Sequence, residues 1–134
     1  MSEKTLALEI VTPERMLLRE EVATVVVPAA YGYLGVLPGH APLVAGLVPG
    51  ILRYRLGNNK KRLAISGGFM EIANNKVVIL ADTAEPAQEI NVRRAQQAYE
   101  RACQRLRQPG EGVDEARAEA ALRRAVTRLQ AAKD

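Results

Sequence analysis

The sequence has no tryptophan, one phenylalanine and four tyrosines among 134 residues. Stacking platforms for single-stranded nucleic acid need more than that. A single cysteine excludes an intramolecular disulfide, and one cysteine with one histidine cannot complete a Cys/His zinc site. A reducing compartment is the expected setting. No apolar run approaches the roughly 18 residues that a spanning helix requires, so any membrane association is expected to come through a partner. Met1-Ser2-Glu3-Lys4 has neither a basic stretch nor an apolar core, and no targeting segment is expected there. Charge of one sign is also missing. Lys+Arg is 19 against 15 Asp+Glu, a net +4. Residues 1–84 carry 9 positive and 7 negative side chains, and residues 85–134 carry 10 and 8. Each part is +2, short of a nucleic-acid footprint.

What is present divides near residue 85. Eight of ten glycines and five of seven prolines lie in 1–84, whereas 85–134 holds eleven alanines and two glycines. Turn-rich β structure gives way to close-packed helix. Leu6, Leu8 and Ile10 alternate with Thr5, Ala7 and Glu9, and Leu52, Tyr54 and Leu56 alternate with Ile51, Arg53 and Arg55. Asn74-Asn75 between two apolar runs is a hairpin signal. Val22–Val27 reads as one strand buried on both faces. Beyond Pro86 the period lengthens. Val92, Ala95, Tyr99, Ala102 and Leu106 form one seam, and Ala118, Leu122, Ala125, Leu129 and Ala132 form another. The reading is β + α: an N-terminal β-sandwich of about eight to ten short strands over 1–84, then a C-terminal antiparallel two-helix hairpin over 85–134, with helices at about 90–107 and 113–132. Seams made mostly of alanine bury little area, so the hairpin is expected to lean on a neighbour and to be mobile.

No catalytic constellation emerges. The sole histidine, His40, sits in the loop Pro38-Gly39-His40-Ala41-Pro42, and Cys103 lies beside a helix seam. A loop histidine bonded to nearby backbone is the simpler reading. Gly32, Gly35 and Gly39 form no phosphate loop, because no Gly-Lys-Ser/Thr follows and the prolines remove N–H donors.

The string Gly32-Tyr33-Leu34-Gly35-Val36-Leu37-Pro38-Gly39-His40-Ala41-Pro42-Leu43 resembles the signature of the epsilon chains of F-type ATP synthases. Pro49-Gly50, Ser66-Gly67-Gly68-Phe69 and Val78-Ile79-Leu80-Ala81-Asp82-Thr83-Ala84 continue the resemblance. Ile90-Asn91-Val92-Arg93-Arg94-Ala95 is similar to the family's Ile/Leu-Asp-x-x-Arg-Ala, with Asn91 where Asp is usual. The resemblance implies a non-catalytic stalk subunit whose sandwich contacts the gamma chain and the c-ring, on the cytoplasmic face of a bacterial membrane. Tyr31, Tyr33 and His40 are the candidate contacts in the rotor loops. Arg94, Arg101 and Arg105 on the first helix, and Arg117, Arg124 and Arg128 on the second, share i, i+7, i+11 spacing. These stripes suit carboxylates or phosphates. The resemblance supplies the alpha/beta catalytic core as partner when the hairpin extends and restrains ATP hydrolysis; a solvated face with pairs such as Glu89–Arg93 is the simpler alternative. It also implies a regulatory ATP site on the folded hairpin at Asn91, Arg94, Arg124 and Arg128. Asn91 keeps the helix cap and loses the carboxylate. Removing everything after Thr83 is expected to relieve ATPase inhibition and to leave coupled synthesis intact. The competing class is an independent Arg-rich binding module for nucleic acid or acidic protein, which a larger positive excess would favour.

Overall fold

The computed structural model describes residues 3–108, 110, 112 and 114–133. Ten strands precede two helices among these residues: β1 (Leu6–Val11), β2 (Met16–Val22), β3 (Thr24–Ala29), β4 (Gly32–Val36), β5 (Leu43–Leu47), β6 (Gly50–Leu56), β7 (Asn59–Ile65), β8 (Gly68–Ala73), β9 (Lys76–Ala81), β10 (Ala84–Pro86), α1 (Val92–Arg107) and α2 (Glu115–Lys133). A 3-10 turn at Ala87–Glu89 leads from β10 towards α1. The strands run in the order β10-β7-β6-β3-β5-β8-β9-β1-β2, with β4 on β3. Only Ala29 opposite Leu47 joins β3 to β5. At this corner the sheet folds on itself, and both halves feed one core. Leu6, Leu8, Ile10, Met70, Ile72, Val77 and Ile79 meet Val25, Val27, Val36, Leu52, Leu63 and Ile65 there. The period-two alternation places these side chains inside, since opposite residues of paired strands share a face.

Two glycine positions fix how closely the chain can pass itself. A Cβ on Gly68 would lie 2.0 Å from the Leu80 carbonyl oxygen, and its φ is +139°. A Cβ on Gly50 would lie 2.5 Å from Cβ of Pro28. Only glycine fits at either. Asn74 and Asn75 both have positive φ, 51° and 58°, as a two-residue type I′ hairpin requires. Asn75 then does more than turn. Its Oδ1 accepts from the Gly39 amide at 2.9 Å and its Nδ2 donates to the Thr5 carbonyl at 2.9 Å, so it ties the Pro38–Pro42 loop to the sandwich.

Two expectations need correction. Val22–Val27 is not one strand: Val22 ends β2 and β3 starts at Thr24. The intervening Ala23 donates to the Arg55 carbonyl as the chain passes from the β1 side to the β6 side. Thr24 and Val26 are half-exposed, so β3 is buried on one face. The helical seams are also shorter. Ala95 and Ala102 of α1 are buried, but Val92, in the first turn, is 52% exposed. Ala118 and Ala125 of α2 are buried, whereas Ala132 packs on the sandwich side. Asn91 and Asp114 cap the helices, accepting from the amides of Arg94 and Arg117 at 3.0 and 3.1 Å. The helices begin at Val92 and Glu115, within two residues of the starts expected at about 90 and 113; residue 113 itself lies outside the described residues.

Candidate functional site

The hairpin lies against the outer face of β6 and β7. In both strands the residues next to the core positions point outward, so Ile51 and Ala64, opposite each other, form a small apolar floor. Ile90, Ala131 and Ala132 complete that cluster. Three of its five members are alanine, so the apolar contribution is small. Two polar ties flank it. Arg62 donates through Nε to the Ala131 carbonyl at 2.5 Å, in the last turn of α2. A cation there satisfies an otherwise unpaired carbonyl and favours the negative end of the helix dipole. Arg128 donates through Nε to Glu85 Oε1 at 2.5 Å, with both side chains about one-third exposed. A pair of that exposure contributes about 0.2–1 kcal/mol.

The six stripe arginines fall into three places. Arg94, Arg101 and Arg105 are exposed along α1, and none of their side chains forms an ion pair among the described residues. The Glu89–Arg93 pair likewise does not form. Arg105 and Arg117 line one cleft of about 310 Å³ near the hairpin turn, together with Asp114. Arg124 and Arg128 sit side by side facing Ser66, Thr83 and Glu85, and the recess between them holds only about 10 Å³. Asn91 and Arg94 do not line that recess. The Asn91 side chain is engaged in the cap of α1, and Arg128 is engaged by Glu85.

Tyr31 is fully exposed at the β3–β4 turn. Tyr33 exposes its ring, but its hydroxyl accepts from the Ile51 amide at 3.2 Å and so fixes the start of β6. His40 is half-buried in its loop, with Nδ1 donating to the Ala41 carbonyl at 2.6 Å. Leu37, nearby, is 59% exposed.

An apolar surface to which the sequence pattern assigned no contact lies on the opposite side of the sandwich. The outward positions of β5, β8 and β9 put Val44, Phe69 and Leu80 in solvent, 71%, 62% and 51% exposed. Phe69 stands opposite both Gly46 and Leu80, and Leu80 continues to Val11. The unbroken run Val77-Val78-Ile79-Leu80 was the available signal: an apolar strand with no alternation calls for a cover on both faces, and the core covers only the face of Val77 and Ile79. Beside this strip Glu9 is almost buried. Its carboxylate takes Lys76 Nζ on one oxygen and Arg19 Nη2, at 3.3 Å, on the other. The hydrogen bond from Lys76, then the two positive charges, hold Glu9 below its ordinary pKa of 4.5. Glu3 is lowered in the same way by its hydrogen bonds from Arg55 and the Gly57 amide.

A β-sandwich that carries a lightly tied helical hairpin on one face and an apolar strip on the other defines a two-part assembly subunit. The comparisons with known proteins agree in both parts. The ATP synthase delta/epsilon chain β-sandwich domain matches residues 5–87, and the long α-helix domain of the same chains matches residues 88–133. The ATP synthase epsilon chain of Moorella thermoacetica is 55% identical over 96% of this chain and 96% of its own length. That of Solibacter usitatus is 52% identical over 96% of each. A chain of the Euglena gracilis mitochondrial ATP synthase, from its OSCP/F1/c-ring assembly, superposes with a TM-score of 0.85 at 31% identity, over all of this chain and 84% of that one. This chain belongs to the ATP synthase epsilon chain family.

Proposed function

We propose that the chain is a non-catalytic central-stalk subunit of a bacterial F-type ATP synthase, peripheral on the cytoplasmic face of the membrane. The observation that carries this reading is the pair of opposed outer faces. One holds a hairpin by a few small contacts, and the other offers an apolar strip that a partner would cover. The strip of Val44, Phe69 and Leu80 is the surface for the gamma chain. The loops bearing Tyr31, Tyr33, Leu37 and His40 are the surface for the c-ring. No described helix is long and apolar enough to cross a membrane, which fits attachment through these partners.

In this role the sandwich transmits torque, and the hairpin restrains hydrolysis when it leaves the sandwich and lays Arg94, Arg101, Arg105 and Arg117 against carboxylates of the alpha/beta core. The ties seen here are weak enough for two packings to differ by a few kcal/mol. ATP would act as a ligand that favours the folded form. To meet a phosphate, Arg128 must exchange Glu85 for it, so binding by Arg94, Arg124 and Arg128 requires the closed recess to open.

Truncation after Gln88 tests the role while keeping β10 on β7. In the reconstituted complex, coupled ATP synthesis is expected to persist and ATP hydrolysis to rise. Unchanged hydrolysis would remove the braking role; loss of coupled synthesis with a folded sandwich would remove the division of labour between the two parts. Calorimetry of the isolated chain with millimolar ATP tests the ligand: no heat and no chemical-shift change at α2 means that ATP is not bound.

A further inference from the structure

Strand register rules the outer face of β5, β8, β9, β1 and β2 into rows. One row is wholly apolar: Phe69 stands opposite Leu80, Leu80 beside Val11, and Val11 opposite Met16. The next row runs Val44, Glu71, Val78, Glu9, Arg19. It sets two carboxylates on one largely apolar face, and their surroundings differ. Glu9 is nearly buried and holds two cations of the chain, Lys76 and Arg19. Glu71 is exposed, and no ion pair forms at it among the described residues. Valine flanks it on both neighbouring strands, and Phe69 lies two residues before it on the same side of β8. Lys76 is diagonal to both carboxylates, within reach of a long side chain, and it is taken by Glu9.

We propose that the partner covering this face carries a lysine or arginine that pairs with Glu71, and that this pair sets how the partner seats. The inference rests on the central-stalk reading and specifies the chemistry of the surface that meets Val44, Phe69 and Leu80. Apolar attraction has no direction, so a purely apolar face would accept its cover in many orientations. One charge within the face removes that freedom. A carboxylate covered by apolar groups and left unpaired is strongly unfavourable, and Glu71, between Val44 and Val78, loses water once both valines are covered. Its compensation comes from outside, because Lys76 and Arg19 are already on Glu9. A basic side chain on the partner supplies it, Arg by a forked pair and Lys as a point charge. Complementarity of this kind fixes register and turns away a surface that brings a carboxylate or only apolar groups. An anionic membrane surface would set negative charge against Glu71, so the occupant is a protein surface, apolar with one cation.

The test uses the full chain and the host ATP synthase complex depleted of it, with rebinding followed by titration of labelled chain. Glu71→Gln, close in size and shape, is expected to weaken rebinding about thirtyfold or more, the usual effect of truncating one member of a covered charge pair. Glu71→Val decides the sign. It enlarges the apolar face, so a plain apolar partner would bind it more tightly, whereas a partner cation left unpaired weakens it at least as much as Glu71→Gln. Both isolated variants are expected to melt with the unaltered chain; valine suits an exposed strand position, so folding and docking are read separately. Unchanged rebinding of Glu71→Gln, or tighter rebinding of Glu71→Val, would overturn the proposal. Two other occupants would overturn it too: a dimer of the unaltered chain in sedimentation that Phe69→Glu dissolves, or capture on phosphatidylglycerol vesicles that Phe69→Glu prevents. Failure of the unaltered chain to rebind would remove the central-stalk reading and this proposal with it. Normal rebinding of the unaltered chain, with no effect of either Glu71 variant, would remove the proposal alone.

Discussion

At the scale of single residues, the chain places few ionised groups where burial matters, and Glu9 is the clearest. Its folded pKa is depressed, so the stability it contributes is fully present above its ordinary 4.5 and is lost as pH falls below that value. Glu3 acts in the same window and with the same sign. The thermal midpoint is therefore expected to fall between pH 6 and pH 3. Glu9→Gln is expected to lower the midpoint at pH 6 and to flatten this decline, so that the two proteins converge at low pH. A parallel shift at every pH would show that Lys76 and Arg19 do not hold the carboxylate ionised. His40 was legible from its neighbours as a loop histidine bonded to backbone, and it is one. The roles of Asn75 and Tyr33 were not. Each bonds an amide far along the chain, Gly39 or Ile51, and nothing local encodes such a partner.

At the scale of elements, local pattern was most informative where one face decides the outcome. The sandwich core follows from alternation, and the Asn74-Asn75 turn from its need for positive φ. The second buried face of α2 was hidden. Thr127 and Ala131 are buried although they lie off the seam that meets α1. Small residues leave no periodic contrast when one helix packs on two neighbours. Docking of α2 can be weighed by removing one tie. Glu85→Gln is expected to shift α2 towards release by roughly two- to fivefold, the effect of losing a half-exposed ion pair. Amide exchange across Thr127–Ala131 measures it, and unchanged exchange would mean that Arg128 contributes nothing to docking. Arg62 opposite the end of α2 was beyond reach of sequence reasoning, because the pairing of a strand arginine with a helix carbonyl has no local signature.

At the scale of the whole molecule, the two outer faces of the sandwich do different work. The hairpin covers one, and Val44, Phe69 and Leu80 stand open on the other. Phe69→Glu is expected to leave the isolated chain as stable as before to within about 0.5 kcal/mol, as for other exposed positions. It is also expected to prevent incorporation into the stalk, read as loss of the chain from the purified complex. Incorporation at the normal stoichiometry would clear this face of any contact.

The strand order also governs how the chain reaches its structure. β1 pairs in parallel with β9, Ala7 beside Lys76, while β2 closes the edge on its far side. During synthesis the first strand thus waits, its inner edge unpaired, until nearly all of the sandwich has left the ribosome. Such distant pairings make folding slow, in the range of milliseconds to seconds. The helices emerge after that closure, onto a surface already formed. A nascent chain stalled before β9 is expected to be the species most in need of chaperones.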